Sequence, residues 1–150
     1  MTPLVSSYDA ALFDLDGVIY LGPNAIDGVA RSLAQLRERG IRLGFVTNNA
    51  ARTPTAVAEH LRELGIRADD SDVVNSTQAM VRMLRKELPT RAKVLVVGTD
   101  ALASQLADGG FVPVSTLEEN PVAVVQGYHP QLPWDLLELG AIAIQKGAAW

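Results

Sequence analysis

The chain has 150 residues, enough for a sizeable core, with 20% charged residues and a formal net charge of -4. That acidic balance argues against a general nucleic-acid or anionic-membrane surface, and the lack of cysteine excludes disulfides and thiolate metal sites. No apolar run approaches the roughly 18 residues of a membrane span, and Met1 to Tyr8 lacks a signal-peptide pattern, so a cytoplasmic protein is expected.

Ala10-Ala11-Leu12-Phe13 reads as a short apolar strand that runs into Asp14-Leu15-Asp16-Gly17. Side chains at i and i+2 of a strand share a face, so Asp14 and Asp16 are expected in one cleft, roughly 6 to 7 Å apart at Cα, with Leu15 turned away. Two carboxylates that close divide their roles: one stays ionised as a nucleophile, the other carries a proton, and a divalent cation neutralises the pair. The competing reading is a strand-end turn, since Asp-Gly is ordinary turn chemistry.

Tyr20 to Asn24 reads as loop, and Asp27 as the cap of a helix that carries Val29, Leu33 and Leu36 on one face and stops at Gly40. A second buried strand, Ile41 to Val46, ends in Thr47-Asn48-Asn49. A helix capped by Thr53, with Pro54 at its first position, then buries Val57, Leu61 and Leu64 and stops at Gly65. Strand and helix alternate, which predicts a parallel α/β sheet whose ligands sit beyond the carboxyl ends of its strands. Both polar clusters fall at such ends. Thr47, Asn48 and Asn49 offer neutral donors that hold a dianion without quenching a nucleophile, although turn-and-cap chemistry explains the same three residues.

Beyond Asp69 the predicted elements are a short strand Val73 to Asn75, a helix opened by Ser76 or Thr77 and ended by Pro89, and a strand Lys93 to Val97. A helix ending at Gly109-Gly110, strands Phe111 to Val114 and Val122 to Gln126, and a helix from Pro133 to about Lys146 complete the series. Gly140 weakens the last helix by about 1 kcal/mol relative to Ala. Ala148-Ala149-Trp150 reads as the opening of a further strand, which suggests a fragment of a longer protein. His60 and His129 are single and far apart, so each is read as a surface or satisfied histidine rather than a zinc ligand. Asp69, Asp70 and Asp72 are expected to face water.

Phe13-Asp14-Leu15-Asp16-Gly17-Val18-Ile19-Tyr20, followed by Phe45-Val46-Thr47-Asn48-Asn49-Ala50, resembles the haloacid dehalogenase superfamily, in its NagD-like or p-nitrophenyl-phosphatase-like branch. The resemblance extends over essentially the whole chain. It implies an α/β fold: a Rossmann-like parallel-sheet core, residues 1–75, interrupted by an inserted α/β cap domain, 76–150, with the C-terminal part of the core absent. It implies a phosphatase that hydrolyses small phosphate monoesters, such as a sugar phosphate, glycerol phosphate, phosphoglycolate or nucleotide. Asp14 would form an aspartyl-phosphate, Asp16 would act as acid and base, and Thr47, Asn48 and Asn49 would hold phosphate. Mg2+ would be the cofactor, bound at Asp14 and Asp16. The lysine and late acidic motif of that family have no counterpart in these residues. The alternative is a non-catalytic phosphate-binding or assembly module, inactive as an isolated fragment. A small phosphate ester is thus the expected partner, with no nucleic acid or membrane, and a homodimer is compatible with the sequence.

Overall fold

Short apolar strands build the first sheet. The structure, a computed structural model, describes residues 4–150. Strands β1 (Ala10–Asp14), β4 (Arg42–Thr47) and β5 (Val73–Asn75) pair in the order β1-β4-β5, all parallel, with Phe13 opposite Phe45 and Phe45 opposite Val73. Between the first two strands lie a two-stranded hairpin, β2 (Tyr20–Leu21) and β3 (Asn24–Ala25), and helix α1 (Val29–Glu38). Helix α2 (Pro54–Glu63) precedes β5. One face of the sheet presents Leu43, Phe45 and Val73 to a core filled by Leu33 of α1 and Val57, Ala58 and Leu61 of α2. The other face is open: Leu12 is 75% exposed, and Val46 and Val74 are each 40% exposed.

The second sheet follows helix α3 (Ser76–Glu87) and comprises β6 (Lys93–Val97), β7 (Val112–Val114) and β8 (Ala123–Gln126), parallel in the order β7-β6-β8. Helix α4 (Asp100–Asp108) lies between β6 and β7, and helix α5 (Trp134–Gln145) follows β8. Val94 and Val96 of β6 pack with Val81 of α3 and Leu102 and Leu106 of α4; Leu95 and Val97 pack on the other side with Ala143 of α5. Ala149 continues the sheet, since its N–H donates to the Val122 carbonyl at 2.9 Å and its carbonyl accepts from the Val124 N–H at 2.8 Å.

The contacts divide the chain into two compact units. One runs to Asn48 and resumes over Pro54–Asn75; the other comprises Asn49–Thr53 and Ser76–Trp150. Among the described residues no helix is long and apolar enough to cross a membrane.

Two local expectations are corrected. Tyr20 to Asn24 is not simply loop, because Tyr20 pairs with Ala25 and Leu21 with Asn24 around the Gly22 turn. Strands of two residues carry too little alternation to register as a pattern. The cap of α1 is Gly28, not Asp27: the chain enters the helix with φ +81° at that residue, in the left-handed region that glycine adopts without strain, and no side chain caps it.

Candidate active site

The carboxyl end of β1 is built by burial of the residue between the two carboxylates. Leu15 is completely buried and anchors the chain in the core, while Asp14 and Asp16 on either side of it are exposed. Beyond Leu15 the backbone folds into a tight turn. The Leu15 carbonyl accepts from the N–H groups of Val18, Ile19 and Tyr20 at 3.2, 2.9 and 3.2 Å, and the Gly17 N–H donates to the Tyr20 carbonyl at 2.8 Å. Gly17 sits at φ +78°, which a side chain would strain. Asp14 Oδ1 accepts the Leu15 N–H at 2.8 Å, which fixes the carboxylate against its own backbone and directs the remaining oxygen elsewhere.

The second polar cluster lies on the neighbouring strand. Asp14 is in register with Val46, so Thr47 ends β4 one position further along, itself in register with Asn75. Thr47 and Asn75 are both buried, and Asn48 is exposed. By alternation Thr47 continues the core-facing row of Leu43 and Phe45, whereas Asp14 stands on the open face with Val46. Asp14, Asp16, Thr47 and Asn48 therefore share the carboxyl edge of one sheet, where parallel α/β sheets receive ligands. Asn49 is not grouped with them: Asn49–Thr53 belongs by its contacts to the other unit, and Asn49 Oδ1 accepts the Ala51 N–H at 2.7 Å in a local turn.

Asn75 is the residue that sequence reasoning passed over. It ends β5 as Thr47 ends β4, and the carboxyl-end rule applied to Val73-Val74-Asn75 points to it. The remaining carboxylates are engaged locally. Asp72 Oδ2 accepts the Asp69 N–H at 3.0 Å and lies 3.8 Å from Arg37 Nη2, and Thr55 Oγ1 donates to Asp70. Asp69 and Asp70 are exposed as expected, with Asp72 half-buried. Neither histidine has the setting of a ligand. His129 Nδ1 accepts the Gln131 N–H at 3.0 Å, and the His60 ring packs on Tyr20.

Among the described residues no group of three His, Cys, Asp or Glu converges on a metal position. Asp14 and Asp16 supply exposed hard oxygen donors at one strand end, which suits part of the shell of a cation that retains water. A separate cavity of about 570 Å³ lies within the second unit and is lined mainly by apolar residues, among them Met80, Leu84, Val124 and Trp150. None of the candidate residues lines it.

Residues 11–112 match the model of the haloacid dehalogenase-like hydrolases. Over 150 residues the chain is 43% identical to D-glycerol 3-phosphate phosphatase of Mycobacterium tuberculosis, all of this chain against 42% of that protein. It is 33% identical over 146 residues to acid sugar phosphatase of Staphylococcus aureus, 97% of this chain and 55% of the relative. The crystal structure of the mycobacterial glycerol phosphate phosphatase in complex with magnesium superposes with a TM-score of 0.91 over 97% of this chain and 44% of that one, at 43% identity. The 4-nitrophenylphosphatase of Thermotoga maritima superposes with a TM-score of 0.85 over 96% of this chain and 54% of that one, at 28% identity. The chain thus spans about half the length of the relatives it matches.

Proposed function

The chain belongs to the haloacid dehalogenase-like hydrolases, and on that premise we propose that it carries the nucleophile and phosphate cradle of a phosphatase acting on small phosphate monoesters. The single observation that carries this reading is the pair of exposed carboxylates, Asp14 and Asp16, straddling a fully buried Leu15 at the carboxyl edge of a parallel sheet. The likeness to a D-glycerol 3-phosphate phosphatase and an acid sugar phosphatase supports a polyol or sugar phosphate as substrate.

In the proposed reaction a carboxylate oxygen of Asp14 attacks phosphorus. The P–O bond to the leaving alcohol breaks, and Asp16 gives its proton to that oxygen. Water then attacks the aspartyl-phosphate; Asp16 takes a proton from it, phosphate leaves and the Asp14 carboxylate is regenerated. Thr47 and Asn48 hold the phosphoryl oxygens with neutral donors, as positioning governs phosphoryl transfer. Mg2+, held by the Asp14 carboxylate and the Asp16 backbone carbonyl, would supply charge neutralisation on the phosphoryl group.

In this reading residues 1–75 form the first part of the catalytic core and 76–150 belong to a cap that reads the leaving group. The division of contacts between Asn75 and Ser76 supports it. The test is phosphate release by the natural-length protein with Mg2+ from p-nitrophenyl phosphate and from glycerol 3-phosphate. Turnover of either is the expected result; release from neither overturns the reading.

A further inference from the structure

We infer that His60 is a positioning residue for Asp16, acting through Tyr20, and thereby for protonation of the leaving group; this rests on the function proposed above. The two carboxylates of the site are held differently. Asp14 is fixed by the Leu15 N–H. Asp16 has no side-chain partner among the described residues, so its carboxylate is placed by the backbone of its turn alone.

Tyr20 closes that turn. Its carbonyl accepts the Gly17 N–H at 2.8 Å, its N–H donates to the Leu15 carbonyl at 3.2 Å, and it forms an isolated parallel bridge with Asp16. A displacement of Tyr20 therefore displaces Asp16. The Tyr20 ring is buried and meets the His60 ring at 5.1 Å between centroids, with planes at 72°. That edge-to-face arrangement is favoured by the ring quadrupoles. His60 is itself held on a rigid support. Helix α2 is embedded through Val57, Ala58 and Leu61, and His60 Nδ1 lies 3.5 Å from Glu63 Oε2 one turn further on. The brace thus runs from an embedded helix through two rings to the turn that carries the acid. Small misplacements of a reacting group cost rate steeply.

Leaving-group dependence separates this role from a general loss of structure. Nitrophenolate departs from p-nitrophenyl phosphate without a proton, whereas the alkoxide of glycerol 3-phosphate needs one. In the natural-length protein, His60→Ala is expected to lower kcat/KM on glycerol 3-phosphate by about tenfold. That ratio reports formation of the aspartyl-phosphate and not its later hydrolysis, in which Asp16 serves both substrates alike. A loss of about tenfold is a fraction of the roughly hundred- to ten-thousandfold that a positioned acid contributes. On p-nitrophenyl phosphate the loss in kcat/KM stays below about twofold. His60→Phe, which keeps a flat ring, restores the rate. Equal losses on both substrates, or none on either, overturn the inference. Should His60→Ala not fold, His60→Leu keeps apolar bulk without the ring plane and carries the same comparison. A second readout is independent of turnover: His60→Ala should shift the Asp16 and Gly17 amide resonances, and unchanged resonances there overturn the brace. If the unsubstituted protein hydrolyses neither substrate, the phosphatase reading falls, and the amide shifts still decide the brace.

Discussion

The two parallel sheets are buried differently over the described residues, although the strands of both are apolar. In β6 the run Val94-Leu95-Val96-Val97 is buried throughout, because α3 and α4 fill one side of the strand and α5 the other. In β1 and β4 burial alternates, and the open face carries Leu12, Val46 and Asp14. A sheet covered on both faces is written as near-continuous apolar runs. Ala10-Ala11-Leu12-Phe13 is such a run although Leu12 stands exposed here, so the covered faces are not legible from the strand alone. What the two sheets share is that polar residues stand at the carboxyl ends of their strands, Asp14 at the end of β1 and Thr99-Asp100 after β6, where the backbone leaves the core and a carboxylate escapes desolvation.

The largest expected effect tests the chemistry of the open face. Asp14→Asn should reduce phosphate release by the natural-length protein by at least about a thousandfold. Its circular dichroism and melting temperature should stay the same, because Asp14 is exposed. Undiminished turnover would remove Asp14 as nucleophile.

Unfolding in urea tests the burial contrast directly. Leu95→Ala, at a completely buried position of the doubly covered sheet, should cost about 2 to 5 kcal/mol. Leu12→Ala in the 150-residue polypeptide should stay within about 0.5 kcal/mol, since that side chain is largely in water. Similar costs at the two positions would break the comparison.

Two glycines sharpen it further. A Cβ on Gly140 would lie 2.9 Å from Val97 Cγ2, a stiff, buried branch between α5 and β6. Overpacking of this kind costs about 1 to 3 kcal/mol and outweighs the gain of about 1 kcal/mol in helix propensity. Gly140→Ala should therefore lower stability by about 1 kcal/mol, read as a drop in the urea midpoint. A Cβ on Gly44 would come nearer still, 2.6 Å from Leu12 Cδ2, yet that atom ends a flexible and exposed side chain. Gly44→Ala should therefore change stability by no more than about 0.5 kcal/mol. A larger loss at Gly44 than at Gly140 would show that the open face is less yielding than its exposure implies.

Legibility followed the length of each pattern. Lys93 to Val97 and Val73 to Asn75 were bounded correctly from apolar runs and their flanking polar residues. Strand β4 was displaced by one residue, because Ile41 is as apolar as the strand it precedes and Thr47 is polar yet buried. The hairpin at Tyr20–Ala25 is hidden, since strands of two residues carry no readable alternation. The sequence marks His60 only as a surface or satisfied histidine, and the fold alone places the Tyr20 ring beside it.

The sequence by itself determined the α/β class, the parallel pairing and the positions of Asp14, Asp16 and Thr47 at strand ends, because side-chain period and turn chemistry are local properties of the chain. Only the tertiary structure decided which faces are covered, that Asn49 groups with the second unit while Asn48 groups with the first, and that His60 meets Tyr20. Those outcomes depend on contacts between residues distant in sequence. No local pattern encodes them.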